Sequence, residues 1–436
     1  MPSPPSAASE IATPARRVVA VVLDGLRRDF VGADTTPALA ALRQRATWFA
    51  AHHTVFPSLT RVVSASFATG CRPASHGLAG NTVALAEDGR LTLHDVGRPD
   101  FLDTKRRLTG TVLARPTLAA RLAGHGGTLI VNNVSPGAAY LHDPEGHGHV
   151  FNRAGSFGPG RQPILGAEAL AATPDLAGDR IATDRFIAEM FGARRPAFGL
   201  LWLCEPDTTQ HAVPLGSAAH HAALRAADAH ASLVIAAVDA ARAAGEDILL
   251  MVGSDHGHQS IRGVIDVAAE LMAAGLKDDA GSGDVVVAPN GTAALIYVDA
   301  TAQDRIPAIA AFLAAQPWVG RIFAADQFAS AGVPGGSGLA FAVALAASDA
   351  LNSEGVPGLS YETRPLEGKN SHLGFGSHGG LGRFEQSPTL MIEGGGFAAG
   401  RAIEAASSII DLAPTFLRFL GLGADGVDGR ALQELS

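Results

Sequence analysis

Two cysteines, Cys71 and Cys204, are too few for a disulfide framework in a chain of 436 residues. No apolar run of about 18 residues or more occurs, so no segment reads as a membrane-spanning helix. No G-x-x-x-x-G-K-[ST] phosphate loop is present, and no internal repeat is visible. Charged residues make up only 17% and sum to a net charge of -9. The basic face needed for tight binding to a nucleic-acid polymer is therefore missing. A nucleotide substrate stays open, because a local metal site can outweigh the global charge. The opening "MPSPPSAASEIATPARR" lacks the apolar stretch of a signal peptide, and its arginines come late. Residues 1–16 accordingly read as a disordered leader and the protein as cytoplasmic.

What the chain does have is apolar content, 47%, enough for a large core. Continuous apolar runs recur at 18–23, 128–131, 198–203, 248–252 and 389–392, as expected for strands buried on both faces of a parallel sheet. Ala- and Leu-rich helical segments lie between them, at 37–48, 117–123 and 217–244. Strand then helix, repeated, predicts an α/β fold with a doubly wound, mostly parallel central sheet. Residues 259–370 break that rhythm with short β and α pieces. They read as a small α/β insert over the active site, with 17–258 and 371–436 forming the core.

Four stretches just past apolar runs carry metal-ligand residue types. These are Asp24 in "VVLDG", Asp207 and His211 in "CEPDTTQH", Asp255 and His256 in "GSDHGH", and His378 in "GSHGG". Ligands gather at the carboxyl ends of strands in open α/β sheets, so distant positions can converge. Asp207 and His211 are one helical turn apart and share a face. Three carboxylates and three imidazoles can fill two sites for divalent cations, and the ligand types suit Zn2+. Two cations about 4 Å apart stabilise the attacking and leaving oxygens of phosphoryl transfer. "VFPSLTRVVSASFATG" adds Thr60 at the start of a helix. It could be an N-cap, or a nucleophile whose proton is lost more easily on a cation. The helix start also offers N–H groups to phosphate oxygens.

In order, "VVLDG…FPSLT…HGLAGN…EPDTTQH…GSDHGH…SHGG" resembles the nucleotide pyrophosphatase/phosphodiesterase branch of the alkaline phosphatase superfamily, from about Val18 to Leu432. The resemblance implies one zinc on Asp207, His211 and His378. It implies a second on Asp24, Thr60, Asp255 and His256, with Thr60 as nucleophile and a covalent phospho-threonine. Asn81 would donate to a phosphoryl oxygen. The expected activity is hydrolysis of phosphodiester or phosphoanhydride bonds in small molecules, nucleotides among them. The sequence leaves the oligomeric state open.

Substrate contacts are less defined. Trp202, five residues before Asp207, fits either a stacking platform for a base or a core tryptophan at a strand end. Arg61 stands where nucleotide-binding relatives often carry an aromatic residue. It reads as a clamp for a phosphate or carboxylate oxygen, or as a solvated first-turn side chain. The segment "SHGGLGRFEQ" is also similar to phosphonoacetate hydrolases, which cleave a carbon–phosphorus bond. Those enzymes hold the substrate carboxylate with lysines shortly before a Pro-Thr like Pro116-Thr117, where this chain has none. Lys105 lies eleven residues upstream of Pro116. Phosphonate hydrolysis is therefore the alternative activity, and a non-catalytic metal-binding protein the alternative class. His142, His147 and His149 read as a surface loop, and the two cysteines as small core residues.

Overall fold

A computed structural model describes residues 16–435, so the expected leader lies, except for Arg16, outside the described residues. The first strand, Arg16–Leu23, is buried at every position after Arg16. Its valines suit a strand covered on both faces. Alternate side chains feed two different cores. Val18, Ala20 and Val22 join Phe67 and Phe416, while Val19, Val21 and Leu23 join Phe186 and Leu224. Helices Thr60–Thr69 and Leu412–Phe419 cover the first face. Helices Pro37–Arg45, Leu176–Phe191 and Ala218–Ala243 cover the second.

The central sheet has ten strands. Its middle is parallel, in the spatial order Asp247–Gly253, Arg16–Leu23, Phe198–Leu203, Thr128–Asn132 and His149–Phe151. Leu390–Glu393 runs antiparallel beside Asp247–Gly253, and short strands finish both edges. All five apolar runs picked from the sequence are strands of this sheet. The register aligns the strand ends. Leu23 pairs with Leu203, and Val22 with Gly253, so three strands end at one level. Asp24, the turn before Asp207, and Asp255 all emerge there.

Residues 259–370 carry most of two further four-stranded sheets. One contains Val285–Asn290, Ala293–Val298, Leu339–Leu345 and Val319–Ala324, with a separate apolar cluster around Leu271, Ile296, Leu313 and Phe341. The other places Gln259–Ile265 between Pro357–Thr363 and Gly376–Ser377. Its last strand lies outside the segment and leads directly into His378. Among the described residues no helix is long and apolar enough to cross a membrane. Cys71 and Cys204 are buried and unpaired.

One expected surface residue is internal. His142 packs against Trp202 and Phe67, with ring centroids 5.3 and 5.8 Å apart, because its turn closes over the end of the central sheet. Burial pushes its pKa down to about 3. His52 and His76 are pushed to about 3 for the same leading reason. An unfolded histidine protonates near pH 6.5, so as pH falls the unfolded chain takes up these protons first. The stabilisation is complete above about pH 6.5 and is lost below it, at up to about 1.4 kcal/mol per pH unit for each group. His142→Phe should therefore flatten the fall of Tm between pH 7 and 5 in a thermal melt series. A slope equal to wild type would count against burial of a neutral imidazole as the cause.

Candidate active site

Thr60 does not cap its helix. Leu59 takes the N-cap with extended backbone and no side-chain cap, and Thr60 is the first residue of the helix. The Thr60 hydroxyl is buried and lies 3.1 Å from His256 Nε2. It faces the strand-end cluster, not the helix end.

Around His256 Nε2 stand Asp255 Oδ2 at 3.0 Å and Asp24 Oδ1 at 3.4 Å. Asp207 Oδ1 lies 3.4 Å from His211 Nε2 and 3.6 Å from His378 Nε2. The two groups adjoin, since the His256 and His378 rings stack 3.6 Å apart. The structure thus brings together Asp24, Thr60, Asp207, His211, Asp255, His256 and His378.

All three imidazoles are anchored in the same way. Nδ1–H of His211 donates to Gly376 O at 2.8 Å, that of His256 to Gly257 O at 3.1 Å, and that of His378 to Ser58 O at 2.7 Å. A carbonyl can only accept, so Nδ1 carries a proton in each ring and Nε2 is the nitrogen turned toward the carboxylates, the orientation a metal-binding histidine needs. Asp24 Oδ1 and Asp255 Oδ2 are buried with no hydrogen-bond partner. Burial, then Asp255 and Asp207, drives the Asp24 carboxyl well above its usual range. Buried oxygens of this kind demand a cation. The donor set, carboxylate and imidazole together, fits divalent metal ions at two places, one where Asp24, Asp255 and His256 converge and one where Asp207, His256, His258 and His378 do, with His211 beside the second.

Burial works against protonating His256, but Asp255 and then Asp207 outweigh it and hold its pKa above the usual imidazole value. Burial opposes ionising Asp207, yet His211, His258 and His378 keep it well below the carboxylate range. Burial, then His256, pushes His378 well down.

Several supporting residues carried no flag in the sequence. His258 Nε2 bonds Asp207 Oδ1 at 2.7 Å, and only its place in the same "GSDHGH" could have exposed it. Gly25, at φ +70°, admits it, because a Cβ there would stand 2.7 Å from His258 Nε2. Asp179 accepts the Cys204 and Glu205 N–H groups at 2.9 and 3.0 Å and so sets the turn before Asp207. Glu385 accepts the Gly380 and Gly382 N–H groups at 2.9 and 2.8 Å, pinning the loop after His378. His372, tied to Glu362 at 2.8 Å, lies against His211 with centroids 4.2 Å apart. These side chains lie far apart in sequence, and no local spacing links them.

Asn81 sits at the start of the Thr60 helix, its Oδ1 accepting Arg61 N–H at 3.2 Å. Its own N–H donates to Asn290 Oδ1 at 2.7 Å. Trp202 is not a platform for a base. It is fully buried in the central sheet, and its indole N–H donates to Asp24 Oδ2 at 3.0 Å. An inward-facing position at the end of the strand places the ring behind the carboxylate, away from any ligand.

A family model for type I phosphodiesterase / nucleotide pyrophosphatase matches residues 18–316. The chain belongs to this family. Its fold is shared with solved structures of low identity. Murine ectonucleotide pyrophosphatase / phosphodiesterase 5, inactive and in complex with AMP, is 18% identical at TM-score 0.70, covering 96% of this chain and 99% of that one. Phosphonoacetate hydrolase from Sinorhizobium meliloti 1021, in complex with phosphonoformate, is 19% identical at TM-score 0.64, covering 94% and 96%. A mutant of alkaline phosphatase PafA is 14% identical at TM-score 0.68, covering 98% and 100%. No match was found among curated protein sequences. Membership of this family makes the chain a hydrolase acting on phosphoester bonds.

Removing the partner of Asp207 tests how the carboxylate is held. His258→Ala should weaken divalent-cation binding at the Asp207 group by about 10- to 100-fold, measured by competition with a chromophoric chelator. An unchanged affinity would show that the hydrogen bond does not prepare the carboxylate.

Proposed function

We propose that the protein is a two-metal phosphodiesterase and nucleotide pyrophosphatase that works through a phospho-Thr60 intermediate. The observation that carries this reading is the Thr60 hydroxyl, buried 3.1 Å from His256 Nε2 and beside two carboxylate oxygens without partners. Asp24, Thr60, Asp255 and His256 would hold one cation, and Asp207, His211 and His378 the other, with zinc favoured by ligand type. Bound there, the two cations supply positive charge that lowers the pKa of the Thr60 hydroxyl and offsets charge on the departing oxygen.

The chain's own residues do the rest. Thr60 Oγ1 loses its proton to solvent and bonds to phosphorus, and the bond to the leaving oxygen breaks. That oxygen departs with the electron pair and takes up a proton. The Asn81 side-chain N–H and the Thr60 N–H donate to the non-bridging oxygens, while Arg61 N–H holds Asn81 Oδ1 in place. Water then attacks phosphorus, returns the proton to Thr60 and releases a phosphomonoester. The AMP-bound murine relative supports a nucleotide-sized product at such a site.

Phosphonate hydrolysis is supported by the relative that binds phosphonoformate. It lacks a matching carboxylate cradle here. Lys105 is buried, and its ammonium donates to the Thr111 and Val112 carbonyls at 3.3 and 2.8 Å. A metal-binding protein without activity has no support in a cluster that gathers every expected ligand beside a nucleophile.

The test is turnover of bis-p-nitrophenyl phosphate, p-nitrophenyl phosphate and the p-nitrophenyl ester of thymidine 5'-monophosphate by zinc-loaded protein. Diester cleavage should fall by about 10³-fold or more in Thr60→Ala, vanish with a chelator and return with metal. With Trp202 in the core, no advantage of the thymidine ester is expected through that ring. Absence of diester turnover in metal-replete protein would overturn the reading.

A further inference from the structure

Arg61 follows the nucleophile, and its guanidinium is held in place by groups that leave its ends free. Ser135, which also caps the helix Pro136–Tyr140, accepts from Arg61 Nε at 3.0 Å. Gly97 gives the room, since a Cβ there would stand 2.6 Å from Arg61 Nη2. Asp95 lies alongside but is engaged elsewhere. Its Oδ1 accepts Gly97 N–H at 2.8 Å, and its Oδ2 pairs with Lys369 at 2.6 Å. Among the described residues no hydrogen bond or ion pair reaches Nη1 or Nη2 of Arg61.

A guanidinium with a fixed Nε and two unused amino ends is a two-pronged donor for a planar or tetrahedral oxyanion. Direction says which part of the substrate carries that anion. In-line displacement sends the leaving group away from Thr60 Oγ1. Arg61 directly follows Thr60, and its backbone N–H is held by Asn81 Oδ1, so it borders the nucleophile and not the departing group; the retained substituent, equatorial to the line of attack, is the part of the substrate that can reach it.

Building on the phosphodiesterase reading, we infer that the substrate carries a second anionic group, a carboxylate or phosphate, on the substituent retained by phosphorus, and that Arg61 binds it.

Binding is measured by calorimetry on metal-loaded Thr60→Ala protein with three product-like ligands. These are propyl phosphate, 2-carboxyethyl phosphate and 1,3-propanediol bisphosphate. At least one charged ligand should bind tenfold or more tightly than propyl phosphate, and which one does so separates carboxylate from phosphate. In Thr60→Ala with Arg61→Gln that ratio should drop below threefold. A ratio under tenfold with Arg61 intact, or a ratio of threefold or more without it, overturns the inference. Equal weakening of all three ligands also overturns it, because Arg61 would then serve the phosphoryl oxygens themselves. If Arg61→Gln fails to fold, Arg61→Lys is read instead, and an unchanged ratio counts against a forked contact. A parallel turnover comparison uses p-nitrophenyl 2-carboxyethyl phosphate and p-nitrophenyl propyl phosphate with Thr60 intact. Failure of the phosphodiesterase reading appears there as no cleavage of either ester, while the binding ratio still decides the anion site.

Discussion

Three carboxylates gathered at the ends of central strands, two buried and one partly so, set the terms for the rest of this molecule. Asp24, Asp207 and Asp255 leave their strands at the same level, and the first is raised well above its usual pKa by burial and by the other two. Water cannot solvate Asp24 and Asp255 and reaches Asp207 only in part, and like charges this close oppose folding. The apolar strands that create the core also create the problem, because they end together. In the proposed two-metal reading cations at those strand ends would resolve it, and much of the surrounding polar inventory holds the candidate ligands in place.

That preparation is made mostly by backbone. Carbonyls of Ser58, Gly257 and Gly376 hold the three imidazoles, and N–H groups of Gly25, Cys204 and Glu205 hold carboxylates. Main-chain partners cannot rotate away, so the site is preorganised by the loops' own paths. The Trp202 indole shows the same economy. It fills the core on one side and donates to Asp24 on the other.

The division between what was legible in the sequence and what was not depends on distance along the chain. Apolar runs of 18–23 or 248–252 announce buried strands by composition alone. Asp24, Asp207, Asp255 and His256 follow such runs directly, so a rule about strand ends finds them. Trp202 is ambiguous from sequence because strand ends host both core rings and ligand walls, and only its indole's contact with Asp24 decides. His142 misleads because its neighbours in "HDPEGHGHVF" are polar, whereas its turn folds inward. Asp179 and Glu385 escape because their partners are backbone N–H groups of remote turns, which no residue pattern records.

The segment 259–370 reads from the sequence as an insert over the active site. Its contacts say otherwise. Asn290 supports the backbone of Asn81 and Thr82, Thr292 bonds Glu385 behind His378, and Gln259–Ile265 pairs with the strand that leads into His378. The segment is therefore scaffolding for the backbone around Asn81 and His378. Grafting in a relative's segment would change turnover and selectivity together, so this architecture offers no modular route to new substrates that leaves the reacting centre untouched.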